Sequence, residues 1–480
     1  MTKIGSPGTV PYDQVVVAIR TAHGSATLPR YRAIAAGVRD LIATGQVPAG
    51  HRLPPERELA LALGVSRSTV IKAYGLLRNS GWARSTVGSG TYTRRPDLGS
   101  RPKMTDLSAP HDGTAAPIGA DHLINLSVAR PTALAELPAA VRAVADGIAD
   151  YADTSDYLAQ GLPDLRASIA ARYTTSGLPT TDSQIVVTAG AQQALSLTLQ
   201  LLLQRRAPVL VESPTYLGVL DLLRARGAQV VAVPSGPDGP DLDALRDLGR
   251  RAPGATLFLM PTCHTVTGAA IGEPARRTIA DIADRSSWTV IEDDILARLT
   301  FERDNAPPIA ALRAGPTVNL GATSKLLWSG LRIGWLRAPT NLIGPLTRIK
   351  AASDLGTSVL AQLVASELLR HADQIAARRI AEATDRLELT TSLLRAYLPG
   401  WHWHHPRGGR SLWIRLPKPD GPTFCTTALQ YGVSVHNGTT FCPAGKHTDH
   451  LRLMFVQPDH LLTAGIQRLA TAWAHHTAAA

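Results

Sequence analysis

Seven short apolar segments recur along the middle of this 480-residue chain, and most are separated by stretches long enough for a helix. Apolar runs of this length are typical of buried strands, and helix-length connections favour parallel pairing with helices on both faces of the sheet. The pattern therefore predicts a large α/β domain around a mostly parallel sheet. The segments span residues 185–188, 209–212, 230–233, 256–260, 289–292, 318–321 and 333–337.

The positive charge of the chain is concentrated near the N-terminus. Residues 30–103 contain 13 lysines and arginines against four aspartates and glutamates, so they carry +9 of a formal net charge of +11. A local surplus of this size is the pattern expected of a protein that binds the phosphate backbone of a nucleic acid. A solvated basic surface is the alternative, and charge alone does not decide between the two.

The basic segment also has the pattern of three helices followed by a hairpin. Helical periodicity is interrupted by Pro/Gly turns, and Ser66 stands where an N-cap is expected for the third helix. Alternating residues on both sides of a glycine-rich turn then indicate two short strands. Together they predict a winged helix-turn-helix of the α+β class. The elements are helices over 31–44, 54–64 and 66–81 and strands over 82–86 and 91–93.

Three separated parts of this segment, residues 50–60, 63–70 and 88–92, closely resemble the DNA-binding domain of the GntR family in order and spacing. The resemblance assigns residues 28–95 to a DNA-binding domain. A recognition helix that begins near Ser66 would place Arg67 in the major groove, where arginine can bind a guanine edge through two hydrogen bonds. The expected DNA contacts are Arg57, Ser66, Arg67, Thr69 and Lys72, with Gly88, Ser89 and Gly90 in a wing that approaches the DNA backbone.

Residues 96–122 separate this domain from the rest of the chain. Prolines and glycines interrupt every periodicity there, which is typical of a linker. We expect residues 123–480 to form the α/β domain. Its large part would span about 160–370, and a smaller α+β part would combine about 371–480 with the N-terminal segment of the domain.

One motif in the α/β region carries specific chemistry. Residues 321–335 read Gly-Ala-Thr-Ser-Lys-Leu-Leu-Trp-Ser-Gly-Leu-Arg-Ile-Gly-Trp, so Lys325 follows a predicted strand. The hydroxyls of Thr323 and Ser324 precede it and the Arg332 guanidinium follows it. This set fits an amine that forms a Schiff base beside a phosphate site. The motif closely resembles the signature of fold-type I aminotransferases, which use pyridoxal 5'-phosphate (PLP).

Further segments match the same resemblance. Residues 188–195 follow a predicted strand and open a helix, whose first N–H groups at Ala191 and Gln192 would bind the cofactor phosphate. Tyr216 occupies a position where the family stacks an aromatic ring on the cofactor. Asp293, at a predicted strand end, would pair with the pyridine nitrogen and keep it protonated, which makes the ring an electron sink.

Two more residues are assigned by the resemblance. Arg452 lies in a segment similar to the family strand whose arginine binds the ligand carboxylate through paired hydrogen bonds. Tyr157, four residues before Gly161, matches a position that in this family often contacts the phosphate in the partner subunit.

The chain departs from the family pattern around the phenolic oxygen of the cofactor. Thr265 stands where the family has an asparagine, in a turn that has also lost its proline, and Ile295 and Leu296 stand where a tyrosine is expected. Both missing side chains normally donate hydrogen bonds that lower the pKa of the Schiff base and orient the ring. Thr265 stays the candidate contact there, and we expect cofactor binding rather than efficient transamination.

The sequence also excludes several classes of protein. Three cysteines without a Cys-x-x-Cys spacing exclude a disulfide scaffold and a thiolate zinc site, and the histidine clusters lack ligands at metal spacing, so no metal is expected. No stretch approaches the roughly 20 apolar residues that span a bilayer. We expect a cytoplasmic protein without a membrane partner.

The order of the domains resembles the MocR/GabR family of bacterial transcription regulators over nearly the whole chain. That resemblance implies a homodimer that binds double-stranded operator DNA and changes its DNA affinity when PLP or a small amino compound, the effector, binds. Two alternatives stay open. One is a working aminotransferase with an attached DNA-binding domain, and the other is a regulator whose large domain has lost the cofactor.

Overall fold

The computed structural model describes residues 30–43, 47, 50–79, 82–86, 90–94, 123–129, 134–148, 151, 157–203, 207–301 and 306–478. The chain divides into two compact units, Met1–Ala115 and Ala116–Ala480. The expected linker over 96–122 lies outside the described residues, as do Gly88 and Ser89 of the expected wing turn.

The first unit has the predicted winged helix-turn-helix. The helix before the turn ends at Gly64, whose φ of 63° is left-handed and costs glycine little. The next helix begins after Ser66, whose Oγ accepts a hydrogen bond from the Thr69 N–H at 3.2 Å, so the predicted N-cap is confirmed. The described elements are α1 (Arg30–Ala43), α2 (Glu56–Leu63), α3 (Arg67–Asn79), β1 (Ala83–Thr86) and β2 (Gly90–Thr93), with β1 and β2 antiparallel.

The helices of this unit pack around a small apolar core. Leu59 of α2 and Val70, Ala73 and Leu77 of α3 are at most 1% exposed. Tyr74 is also buried in this core, and its hydroxyl donates a hydrogen bond to the Pro54 carbonyl oxygen at 2.7 Å. The bond fixes the chain that leads into α2 against α3, and so sets the geometry of the helix-turn-helix.

The second unit is built on an eight-stranded sheet whose order is β4-β11-β10-β9-β8-β5-β6-β7. The five strands from β10 to β6 are mutually parallel, while β11 is antiparallel to both neighbours and β7 is antiparallel to β6. The strands are β4 (Ile185–Thr188), β5 (Val209–Ser213), β6 (Val230–Gly236), β7 (Gly239–Pro240), β8 (Thr256–Leu259), β9 (Thr289–Asp293), β10 (Thr317–Ala322) and β11 (Gly334–Arg337). All seven predicted segments are strands, and β7 was not predicted.

Helices cover both faces of this sheet. Apolar side chains of β4, β5 and β9 are almost completely buried, as the predicted α/β architecture requires. The helices in this part of the unit are α4 (Leu137–Gly147), α5 (Pro163–Thr175), α6 (Ala191–Leu202), α7 (Leu217–Ala225), α8 (Leu242–Arg251), α9 (Glu273–Arg285), α10 (Thr340–Asp354) and α11 (Val359–Leu369).

A second, smaller sheet lies in the C-terminal part of the unit, where α12 (Ala372–Tyr397), α13 (Gly421–Gln430) and α14 (Asp459–Ala478) pack around it. It is antiparallel with the order β12-β13-β16-β15. The strand β3 (Ile124–Asn125) pairs in parallel with β14 (Val433–Ser434), so the start of the unit joins its C-terminal part. The four strands are β12 (His402–Trp403), β13 (Ser411–Arg415), β15 (His436–Asn437) and β16 (His450–Met454). None of the helices in the described part of the chain has the length and apolar character needed to cross a membrane.

Candidate functional site

Two adjacent parallel strands bring Lys325 and Asp293 to the same edge of the large sheet. Asp293 is the last residue of β9 and lies opposite Leu320 of β10, while Lys325 follows the end of β10 by three residues. Ligand sites of α/β proteins lie at the carboxyl ends of such strands. The two charges interact, because Asp293 raises the pKa of Lys325 and Lys325 lowers the pKa of Asp293.

The environment of Lys325 favours its neutral amine. Burial lowers the pKa of Lys325 from 10.5 to about 8, and the positive charges of Arg410 and Arg452 act in the same direction. A lysine acts as a nucleophile only as the unprotonated amine, so this shift makes a much larger fraction of it reactive near neutral pH.

Asp293 is a buried carboxylate, 7% exposed. Burial raises its pKa to about 6, while a hydrogen bond from the Ile295 N–H to Oδ1 at 3.0 Å and the charge of Lys325 oppose the rise. Asp293 therefore stays mostly ionised at neutral pH in an apolar environment. A carboxylate in this setting attracts a cationic ring nitrogen.

A positively charged group lies at the start of α6. Arg332, with φ at 55°, donates a hydrogen bond from Nη2 to the Ala189 carbonyl oxygen at 2.7 Å and is otherwise exposed. Gly190, at φ 94°, leaves the space for this contact, because a Cβ there would lie 2.7 Å from Arg332 Nη2. Ala191 and Gln192 open α6, and the first N–H groups of a helix have no partner within it. The guanidinium and these N–H groups form a site suited to a phosphate.

The hydroxyl of Thr323, an expected phosphate contact, is already hydrogen-bonded within the protein. The side chain is 1% exposed, and its hydroxyl donates a hydrogen bond to the Ile333 carbonyl oxygen at 3.0 Å. Because that proton is already used, the hydroxyl has none left for a phosphate oxygen. Ser324, the neighbouring candidate, is only partly buried and so keeps access to the site.

Tyr216 is positioned by Gln192. The Tyr216 hydroxyl donates to Gln192 Oε1 at 3.1 Å, and Gln192 Nε2 donates to the Gly218 carbonyl oxygen at 3.1 Å. Burial raises the pKa of Tyr216 to about 12, so the phenol stays neutral. The Gln192 side chain is therefore occupied by Tyr216, which leaves its backbone N–H as the group available to a phosphate.

The turn that contains Thr265 is held by the neighbouring histidine. His264 Nδ1 accepts hydrogen bonds from the N–H groups of Val266 and Thr267, both at 3.2 Å. Its Nε2 donates to the Pro214 carbonyl oxygen at 3.1 Å, and burial lowers the pKa of His264 to about 4, so the ring is neutral. The imidazole thus fixes the turn in which the expected proline is missing. The Thr265 side chain is partly buried beside it.

The two residues at the expected tyrosine position supply no side-chain donor. Ile295 contributes its backbone N–H to Asp293, as described above. Leu296 is 5% exposed and belongs to the apolar core that also contains Leu299 and Leu326. Neither side chain can donate a hydrogen bond to a phenolic oxygen.

Arg452 lies on β16 near Tyr216 and Lys325, since their charges affect one another. Its Nη2 donates to the Ser127 carbonyl oxygen at 3.1 Å, and its guanidinium carbon lies 4.6 Å from the centre of the Phe441 ring. The buried Nε has no acceptor among the described residues. Burial lowers the pKa of Arg452 to about 10, so it stays cationic and can bind a carboxylate.

Arg410 is a buried residue near the site that sequence reasoning missed. It follows Gly409, is 7% exposed and donates a hydrogen bond from Nη2 to the carbonyl oxygen of Lys325. The glycine pair before it suggests a surface turn, and nothing local to the sequence signals that the guanidinium packs behind Lys325.

Tyr157 stands apart from the other candidates. Its side chain is 78% exposed, so it is accessible to a second copy of the chain. No group of three or more His, Cys, Asp or Glu residues suited to a metal ion occurs among the described residues.

The expected DNA-contacting side chains lie on one helix-turn-helix. Arg57, Arg67 and Lys72 are exposed on α2 and α3, and Thr69 is partly exposed. Arg67 Nη2 lies 3.3 Å from Glu56 Oε2, so an acidic residue of α2 orients the arginine. In the wing, Gly90 has φ 111°, and a Cβ there would lie 2.8 Å from Arg52 Nε. Gly90 therefore makes room for Arg52 as well as shaping the turn.

Two family models match the chain. The model described as aminotransferase class I and II matches residues 121–469, and the model described as bacterial regulatory proteins, gntR family, matches residues 30–93. The two matches fall in the two compact units of the structure.

Similar proteins include both regulators and enzymes. A protein described as an uncharacterized HTH-type transcriptional regulator of Bacillus subtilis, YdfD, is 28% identical over 455 residues, which cover 89% of this chain and 92% of that protein. The probable rhizopine catabolism regulatory protein MocR of Rhizobium meliloti is 28% identical and covers 78% of this chain and 79% of its own. The structure of LysN, an α-aminoadipate aminotransferase of Thermus thermophilus complexed with N-(5'-phosphopyridoxyl)-L-leucine, has a TM-score of 0.69 at 26% identity, over 76% of this chain and 97% of that one.

Proposed function

From the premise that the chain belongs to the aminotransferase class I and II family and is a transcription regulator of the GntR/MocR type, we propose that its second unit binds PLP and senses a small amino compound. The observation that carries the proposal is that Asp293, Arg332 and Arg452 lie close enough to Lys325, at the end of β10, for their charges to act on its amine. Three of these four groups are cations, which suits a doubly anionic phosphate and a carboxylate.

The residues present fit PLP. When bound, PLP supplies an aldehyde that bonds covalently to an amine and a pyridine ring that withdraws electrons. Arg332 and the start of α6 bind the phosphate, in a site where Gly190 and Gly334 leave the space that side chains would fill. Asp293 binds the ring nitrogen, and Lys325 supplies the amine. Tyr216 covers the ring while Gln192 fixes its hydroxyl.

Arg452 defines the class of effector. Its guanidinium is pre-positioned by Ser127 and Phe441, and its Nε has no acceptor among the described residues. A carboxylate would accept a hydrogen bond from that buried donor and neutralise the charge of the guanidinium. Binding of a carboxylate is therefore favourable at this position. The effector is therefore an amino compound that also carries a carboxylate, with its amine directed towards Lys325.

The same site is poorly suited to turnover. Proton transfer and ring orientation in a working aminotransferase depend on donors to the phenolic oxygen. Here Thr265 offers one hydroxyl, and Ile295 and Leu296 offer none. Regulation needs only binding and a change of conformation, so these substitutions are compatible with a sensor.

We further infer a homodimer that binds paired DNA half-sites. Large apolar side chains of the second unit are exposed in the single chain, with Tyr157 78%, Leu355 50% and Trp328 42% exposed. A partner subunit that covers them would remove apolar surface from water. The molar mass of the protein by light scattering tests this inference, with twice 51.0 kDa expected.

A DNA-binding measurement tests the regulatory role. We expect the full-length protein to bind a selected double-stranded operator, and Arg67→Ala to weaken that specific binding by about 10- to 100-fold because a base contact is lost. The control is Arg224→Ala, since Arg224 is an exposed residue of α7 in the second unit. Specific binding by Arg67→Ala equal to that of the control would refute the placement of the recognition helix. The absorbance of bound PLP should be the same in both variants.

A further inference from the structure

A small cavity lies behind Lys325, between α12 and the start of β13. Three arginines and one glutamate line it, and the other lining residues are apolar or glycine. Its volume is about 20 Å³, which is enough to hold one water molecule or one small ion. The charged lining residues are Arg379, Glu382, Arg386 and Arg410.

The cavity has more positive than negative charge. Arg379 and Arg410 are each 7% exposed, and burial, together with the charge of Arg379, lowers the pKa of Arg410 to about 10, although the charge of Glu382 opposes the shift. Glu382 Oε2 lies 3.6 Å from Arg379 Nη1 and is the one carboxylate among the described lining residues. Arg386 is partly exposed and lies 3.7 Å from Asp459 Oδ1, so the surplus of buried charge comes from Arg379 and Arg410. Two buried guanidiniums beside one carboxylate leave a buried positive charge, which is costly and which an anion would compensate.

The hydrogen bonds of Arg379 are also incomplete. Its Nη2 reaches the Leu327 carbonyl oxygen at 3.5 Å, but its buried Nε has no acceptor among the described residues. A buried guanidinium nitrogen without an acceptor is costly. Water in the cavity would accept this hydrogen bond but would leave the charge uncompensated. An anion would both accept the hydrogen bond and compensate the charge.

We propose that the cavity between Arg379, Arg386 and Arg410 binds a monovalent inorganic anion of about the size of chloride. A volume of about 20 Å³ suits a single ion of this size better than a phosphate, a sulfate or an organic acid. Arg410 donates to the carbonyl oxygen of Lys325, and Arg379 to that of Leu327. An anion held by these guanidiniums therefore contacts Arg379 and Arg410, the two side chains that hold the backbone around Lys325 in place.

Bromide diffraction tests the site directly. Crystals of the full-length protein with PLP bound are soaked in sodium bromide, and anomalous scattering locates the bromide ions. We expect a peak between the three guanidiniums in the wild type and none there in Arg410→Met. Water density without an anomalous peak in the wild type would overturn the proposal.

Thermal unfolding supplies a second test in solution. The melting temperature is compared in sodium chloride and sodium gluconate at equal ionic strength, because gluconate is too large for the cavity. PLP is present throughout, so that chloride does not occupy the phosphate site at Arg332. We expect the wild type to melt about 2 °C or more higher in chloride. The difference between the two salts should disappear in Arg410→Met.

A control makes this result specific. Arg224→Met removes an exposed cation, so it should keep the chloride effect. If Arg410→Met does not fold, Arg386→Gln is measured in its place, because Arg386 lines the same cavity. Equal melting temperatures of the wild type in both salts, or an undiminished chloride effect in the cavity variant, would contradict the proposal.

Discussion

The two ends of the candidate cofactor site differ in how far they keep the chemistry of an aminotransferase. At the phosphate and pyridine end, Arg332 packs against Gly190, and Asp293 and Lys325 interact across neighbouring strands. At the phenolic end, Thr265 and Ile295 stand where the family places stronger donors. Under the proposed assignment, the charges that hold the cofactor and the donors that tune its reactivity are separate groups, so a chain can keep the first set while losing most of the second.

The phosphate end should show the largest effect in this comparison. Arg332→Met removes a guanidinium from the proposed phosphate site, and hydrogen bonds to charged groups contribute roughly 1.5–3 kcal/mol each. We expect the dissociation constant of PLP to rise about 10- to 100-fold in a fluorescence titration. Arg224→Met, on the exposed surface of α7, is the control and should bind as the wild type does. A change of less than about threefold in Arg332→Met would remove Arg332 from the site.

Arg452 should affect the effector and leave the cofactor unchanged. Arg452→Met keeps apolar contact with Phe441 but removes the charge, so we expect amino acids to bind about 10- to 50-fold more weakly. Titration of the PLP absorbance with amino acids measures this affinity. The dissociation constant of PLP itself should change little. Equal losses of both affinities would indicate that Arg452 acts on the fold rather than on a carboxylate.

The pH dependence of PLP attachment tests the role of Lys325 at the phosphate and pyridine end of the site. Because the pKa of Lys325 is lowered to about 8, protonation removes the reactive amine below that pH. The rate of covalent attachment should therefore rise about tenfold per pH unit below pH 8 and level off above it. Stopped-flow absorbance of the apo protein mixed with PLP gives this rate. A rise that continues to pH 10 would mean that Lys325 has the pKa of an ordinary lysine.

The phenolic end should give the smallest change. The double variant Thr265→Asn with Ile295→Tyr adds the two donors that the family has there. We expect transamination between an amino acid and a keto acid to increase about tenfold or less, because the rest of this end is not rebuilt. The single variant Thr265→Val is the matched control and should lower any residual turnover. Wild-type turnover equal to that of the double variant would show that these positions do not limit the reaction.

The fold follows closely from the sequence where burial is uniform. All seven predicted strands of the large sheet form, since runs such as the one from Ile185 to Thr188 are apolar throughout. The strand Gly239–Pro240 was not predicted because two residues carry no pattern. The smaller sheet contains His402, Trp403 and His436, whose polar and aromatic side chains do not alternate clearly.

The site is less completely predictable. Lys325, Asp293 and Arg332 stand out because their spacing is fixed by strand ends and a turn. The hydrogen bond from the Thr323 hydroxyl to the Ile333 carbonyl oxygen depends on how β10 and β11 pair, and the sequence does not predict that pairing. Arg410 was missed for a similar reason, since its burial arises only when the smaller sheet packs behind Lys325.

The absorption spectrum of the purified protein tests the central claim most directly. The near-ultraviolet and visible spectrum is recorded with added PLP, before and after borohydride reduction, for the wild type and for Lys325→Ala. We predict a visible band in the wild type that borohydride removes. Mass spectrometry should then find the cofactor covalently attached to Lys325 in the wild type and no attached cofactor in the variant. A wild type that stays colourless with added PLP, or a variant that fixes it equally well, would contradict the claim that this regulator senses its effector through PLP on Lys325.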